Sequence, residues 1–154
     1  MDEQEGTFLV THVDEASAVL KDVESGQVHT LGENPGLEAG EVLEGSIVPE
    51  PPMEITYKLA ETDARRQLFV EESSEPPTQQ EREIAATQPV GEVTRRERAG
   101  IGELHVLTVP EDRTDEAIED VVDDEATLVR AARLGVNRVE IRSETGVISV
   151  RYLP

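Results

Sequence analysis

The sequence predicts an α+β fold in two modules, a small β-barrel followed by a β-α-β-β unit. Three observations lead there: short valine-rich runs separated by turn residues over the first 70 positions, a proline-bounded polar stretch, and helical spacing after Pro110. Val, Ile, Leu and Phe make up 40 of the 154 residues, above the level of roughly 20% below which chains stay disordered. Phe8, Phe69, Tyr57 and Tyr152 are the only aromatics. The core therefore rests on branched aliphatics, and the excess of valine favours strands.

Residues 1–70 form the barrel module. Thr7 to Val13, Ala18 to Val23 and Gln27 to Leu31 read as strands, with Glu24-Ser25-Gly26 as a hairpin turn. After a loop holding Asn34-Pro35-Gly36 come Glu41 to Val48, Met53 to Leu59 and the shorter Gln67 to Val70. Five or six strands at this spacing suit a small closed or partly open barrel. The segment Ala39-Gly40-Glu41-Val42-Leu43-Glu44-Gly45-Ser46-Ile47-Val48 resembles the Gly-acid-Val-x-x-Gly-x-Val strand of OB-fold RNA-binding domains. The resemblance covers ten residues and implies an OB-like barrel.

Residues 71–89 read as a polar linker rich in proline, with Pro76, Pro77 and Pro89 around a run whose only large apolar side chain is Ile84. Thr78 and Glu81 have the spacing of a capping box, which predicts about two turns of helix before Thr87. Residues 90–154 form the α/β unit. Gly102 to Val109 is a strand closed by Pro110, and Thr114 is the expected N-cap of a helix with Asp115 and Glu116 in its first turn. Ile118, Val121, Val122, Leu128, Val129 and Ala132 keep helical spacing up to Gly135, and Asp124 is placed to cap a second helix. Val136 to Arg142 and Val147 to Leu153 then make a hairpin across Ser143-Glu144-Thr145-Gly146.

Thirty-four acids face fourteen bases, a net charge of −20, and only Lys21 and Lys58 among the bases are lysine. Such a chain repels itself in dilute buffer, whereas at about 1 M salt the Debye length is roughly 3 Å and the repulsion is screened. The composition fits a cytoplasm holding molar salt. The absence of cysteine removes disulfides and thiol chemistry. The start Met1-Asp2-Glu3-Gln4-Glu5 has neither basic nor apolar targeting character, and no run approaches a membrane span, so a soluble protein without a membrane partner is expected.

The charge is uneven. Residues 1–60 hold 13 acids and 2 bases, whereas residues 126–154 hold five arginines against two acids. Strand alternation puts Val139, Ile141, Ile148, Val150 and Tyr152 on one side of the final hairpin and Arg138, Glu140, Arg142, Ser149 and Arg151 on the other. The apolar side needs the helix as cover, which leaves the arginine side open to solvent or a partner. A second cluster, Arg95, Arg96 and Arg98, precedes Ala99-Gly100-Ile101-Gly102. Guanidinium groups bind phosphate and carboxylate bidentately. The expected function is therefore non-enzymatic binding of RNA or a ribonucleoprotein through Arg95, Arg96, Arg98, Arg138, Arg142 and Arg151. The alternative is a protein-interaction or assembly factor whose arginines dock on acidic protein, or arginines that only neutralise the chain's own carboxylates.

No catalytic residue, metal site or cofactor is expected. His12 and His29 would need to meet beside Asp14 to hold a metal, and carboxylate pairs are too common at this composition to signal acid–base work. Dinucleotide, Walker-type and nucleophile-elbow motifs are missing. Phe8 and Phe69 read as core rather than as stacking platforms. The acidic composition, the stretch Arg95-Arg96-Glu97-Arg98-Ala99-Gly100-Ile101-Gly102-Glu103-Leu104-His105-Val106 and the ending Val136-Asn137-Arg138-Val139-Glu140-Ile141-Arg142 together resemble an uncharacterised family of small haloarchaeal proteins, a domain of unknown function. That resemblance implies a source and carries no catalytic residues.

Overall fold

The computed structural model describes residues 3–154 and divides them into two compact units. The first comprises the chain up to Leu68 together with Leu128–Arg133; the second comprises Phe69–Thr127 and Leu134–Pro154.

In the first unit, strands β1 (Gln4–Val13), β2 (Ala18–Asp22), β3 (Val28–Leu31), β4 (Glu41–Pro49) and β5 (Tyr57–Gln67) close a barrel in the order β1-β2-β3-β5-β4. Every pairing is antiparallel except β3 with β5, which run parallel where Leu31 meets Tyr57. The turn from β1 to β2 is held by Asp14, whose Oδ1 accepts from the backbone N–H of Ala16 and Ser17 at 2.8 and 2.7 Å. These two bonds keep its carboxyl below the usual range. At the β2–β3 turn Asp22 Oδ1 accepts from Glu24 and Ser25, and Gly26 takes a positive φ of 77°. Phe8, Val10, Ala18, Leu20, Leu31, Leu37, Leu43 and Ile47 fill the interior, with Tyr57 and Leu59 packed against them.

The strand expected at Met53 begins only at Tyr57 and continues through polar residues to Gln67. Met53 and Ile55 instead sit exposed in the preceding turn, after a run holding Pro49, Pro51 and Pro52, which lack the N–H a ladder needs. Most of β5 is exposed, so its sequence carries no apolar alternation to read.

The second unit is a five-stranded sheet in the order β6-β9-β10-β8-β7. Its strands are β6 (Phe69–Glu72), β7 (Val93–Glu97), β8 (Glu103–Thr108), β9 (Arg138–Glu144) and β10 (Val147–Leu153). Helix α1 (Gln79–Ala86) carries the expected capping box, with Thr78 Oγ1 accepting from the Glu81 N–H and Glu81 returning a carboxylate to the Thr78 N–H. Helix α2 (Thr114–Asp123) follows; in the next helix, α3 (Glu125–Leu134), residues Leu128–Arg133 belong to the first unit, Asp124 Oδ1 accepts from the Ala126 N–H at its start and Gly135 leaves it at φ 77°.

Three local expectations change. The short strand assigned to the barrel is β6, which pairs in parallel with β9 instead. Residues 71–89, expected as a linker with one short helix, hold that helix as α1 but belong to the second unit, supplying part of β6 and packing α1 on β8 and β10. Thr114 does not cap α2. It is the first helical residue, and its hydroxyl donates to Glu111 O (3.0 Å) and accepts from Gly146 N (2.9 Å), tying the helix start to the hairpin turn. No strand was expected at Val93–Glu97, where one face of a short, exposed edge strand carries too few apolar residues to show alternation.

Candidate functional site

The registers confirm the sidedness of the final hairpin: Val139 faces Tyr152 and Ile141 faces Val150, while Arg142 faces Ser149 and Glu140 faces Arg151. Val139, Ile141, Ile148, Val150 and Tyr152 are all buried, and α2 packs against β9 and β10. The arginine side is covered at Arg142 and Arg151, whereas Arg138 stays exposed. Helix α1 lies on the side of Val106 and Leu104, in a cluster of Ile84, Ala85, Val106, Leu104 and Val147. Leu104 shares the row of Arg151, and Val106 that of Ser149, so this is the arginine side.

Under that cover a charge network forms around Glu140, a residue 9% exposed. Arg142 Nε donates to Glu140 Oε1 at 2.8 Å and Arg151 Nη1 donates to the same oxygen at 3.1 Å. Arg138 Nη2 lies 3.6 Å from Glu140 Oε2, and its Nε lies 3.2 Å from Glu71 Oε1. Arg142 Nη2 reaches Glu75 Oε2 at 2.9 Å, and Arg151 Nε stands 3.8 Å from the buried Glu81. Arg82 of α1 pairs with Glu144. Burial pushes the Glu140 carboxyl up, yet the hydrogen bonds and charges of Arg142 and Arg151 outweigh it and hold the group below its ordinary value. In return, the hydrogen bond to Glu140 raises Arg142, against a smaller opposing effect of burial.

Three guanidinium groups thus meet four carboxylates, Glu71, Glu75, Glu81 and Glu140. A phosphate would have to displace these partners. The arrangement neutralises charge inside the unit and pins α1 and the preceding segment onto the sheet. Sequence reading missed Glu71, Glu75 and Glu81 as partners because in so acidic a chain each looks like ordinary solvated surface. The Glu81 capping position was the one available sign.

The other three arginines are placed differently. Arg95 and Arg96 are exposed on β7, an edge of the sheet, and Arg98 is half-buried in the following turn, where its backbone N–H donates to Gly102 O. The register sets Arg96 opposite Leu104, in the row of Arg151, and Arg95 opposite His105, in the row of Val150. They therefore point to opposite sides of the sheet. Among the described residues Arg95, Arg96 and Arg98 make no ion pair. The six arginines do not form one surface.

The histidines do not converge. His12 lies on β1 and His29 on β3, with β2 between them. His29 is buried edge-on to Tyr57, ring centroids 4.8 Å apart, and to Phe8 at 6.2 Å. His105 Nε2 is 2.8 Å from Glu103 Oε1. Among the described residues no group of three or more His, Asp or Glu is arranged to hold a metal ion, and no helix is long and apolar enough to cross a membrane. Phe8 is core as expected, but Phe69 on β6 is 61% exposed.

No curated protein and no solved structure shows significant similarity to the chain. A family model matches residues 4–143, and with them the barrel, the α1 cover and almost all of the strand that carries Glu140. The chain belongs to that family, the family of unknown function DUF5812.

Proposed function

We propose that this is a non-enzymatic interaction protein of a salt-rich haloarchaeal cytoplasm, docking on other protein through the open edge of its second sheet. One observation carries the reading. In a chain of net charge −20, Arg95 and Arg96 stand exposed on an edge strand while the hairpin arginines are committed to internal carboxylates. Exposed guanidinium groups on a strand edge suit an acidic extended segment, because the backbone ladder supplies affinity and the side chains select charge.

Contact with RNA or a ribonucleoprotein is the second reading, favoured by the barrel. Its Greek-key order β1-β2-β3-β5-β4 supports an OB-like assignment. Against it stand the acidity of that unit and the pairing of Arg138, Arg142 and Arg151, since RNA sites rely on basic grooves and stacking aromatics.

Capture of the tagged chain from cells at native salt, with and without RNase, tests the choice. The docking reading expects protein partners that survive RNase and are lost with Arg95→Glu/Arg96→Glu. Partners that vanish with RNase, with RNA recovered beforehand, overturn it in favour of the RNA reading.

A further inference from the structure

The sheet of the second unit has two open edges of opposite charge. At one end β6 presents Phe69-Val70-Glu71-Glu72; at the other β7 presents Val93-Thr94-Arg95-Arg96-Glu97. Among the described residues no other strand lies beyond either. Resting on the docking reading above, we propose that the partner of β7 is β6 of a second copy of this chain, joined antiparallel with Arg95 opposite Glu72 and Arg96 opposite Glu71.

Direction, backbone and charge all agree with that register. From β6 across β9, β10 and β8 to β7, one parallel and three antiparallel pairings leave β6 and β7 running in opposite directions. A copy placed alongside, continuing the sheet, therefore sets its β6 antiparallel to β7. On β7, Thr108 N donates to Glu92 O and Arg98 N to Gly102 O, so by alternation Val93, Arg95 and Glu97 turn their backbone groups to the open side. On β6, Phe69 N donates to Asn137 O and Ser73 N to Ile141 O, which leaves Val70 and Glu72 facing outward. Arg95 opposite Glu72 and Glu97 opposite Val70 then become hydrogen-bonded pairs. Arg96 and Glu71 become the close non-hydrogen-bonded pair between them.

The side chains fall on matching faces. Arg96, Leu104, Arg151, Glu140 and Glu71 form one row across the sheet, so the next copy continues it with Glu71 beside Arg96. Glu71 already meets Arg138 through Oε1, and a carboxylate accepts from two cations at once. The same register puts the exposed Phe69 opposite Arg98, a guanidinium-on-ring contact.

Like edges do not fit as well. β6 against β6 centred on Glu71 or Glu72 sets glutamate against glutamate and centred on Val70 forms no ion pair, and β7 against β7 centred on either arginine sets arginine against arginine, directly opposed like charges being unfavourable. Charged edge residues normally stop a strand from pairing; here they leave one complementary strand. Since β6 and β7 are different surfaces, the contact is head-to-tail and extends into chains unless its rotation closes a ring.

Sedimentation velocity of the full chain across a roughly hundredfold concentration range, in salt where circular dichroism shows it folded, tests the proposal. The mass is expected to grow with concentration. Arg95→Glu/Arg96→Glu makes both edges acidic and Glu71→Arg/Glu72→Arg makes both basic, so each variant alone is expected to lose association by about tenfold or more. Mixing the two folded variants restores complementary edges and is expected to restore association. A wild-type chain that stays monomeric, a β6 variant that still associates, or a mixture that gains nothing overturns the proposal. Should the wild type stay monomeric while cellular protein partners still depend on Arg95 and Arg96, self-pairing fails and the docking reading stands.

Discussion

Glu140 shows what a single position can hide. Alternation placed it on the polar side of the hairpin, yet it is nearly buried, with Arg142 and Arg151 on one oxygen. Removing its charge leaves the part-buried Arg142 and Arg151 with only the exposed Glu75 and the 3.8 Å contact to Glu81 as counter-charges. Glu140→Gln is expected to destabilise the fold by about 3 kcal/mol, read as a lower urea midpoint at neutral pH. The sign with pH follows from its lowered value, where the arginines prevail over burial, and from Glu41, lowered chiefly by its hydrogen bond from Arg65. Both are ionised more readily when folded, so their contribution is full above the unfolded carboxylate value of about 4.3 and is lost as pH falls through the lower folded values. Urea midpoints are thus expected to drop below about pH 4, and the drop to be shallower in Glu140→Gln. The face of each residue was legible from period-two alternation. Its burial was not, because burial of a charge depends on partners supplied by residues 71–81.

Elements were legible where local chemistry is self-contained. The Thr78–Glu81 box starts α1 as its spacing predicts, and Thr78→Ala is expected to cost about 1 kcal/mol, measured by thermal unfolding. Elements defined by neighbours were harder: β5 and β7 are mostly exposed and show no apolar period, and β6 differs from a barrel strand only in its partner. Gly45 marks the close approach of β4 to β5. A Cβ there would stand 2.1 Å from Glu61 O, and the nearest atoms are all backbone of β5, which leaves little room to yield. Gly45→Ala is expected to destabilise the barrel by about 3 kcal/mol, visible as a lower denaturation midpoint. The Ala39–Val48 strand was recognised from its pattern, but the need for glycine at position 45 comes from the partner strand.

For the molecule as a whole, net charge governs stability through screening. Raising potassium chloride from about 0.1 M to about 1 M is expected to raise the melting temperature and then level off as the Debye length falls below the spacing of surface charges; a flat or falling curve counts against the salt-rich setting. Composition, turn residues and alternation were enough to determine an α+β chain with a barrel first and a helix-covered sheet second, because hydrophobic burial and turn preferences are local or periodic and are written along the chain. Only tertiary structure decided which strand joins which sheet, which arginines are consumed by carboxylates and which edges stay open. Those outcomes depend on pairing between residues far apart in sequence, and in a chain with 34 acids no local signal distinguishes the carboxylate that will meet an arginine from the one that will meet only water.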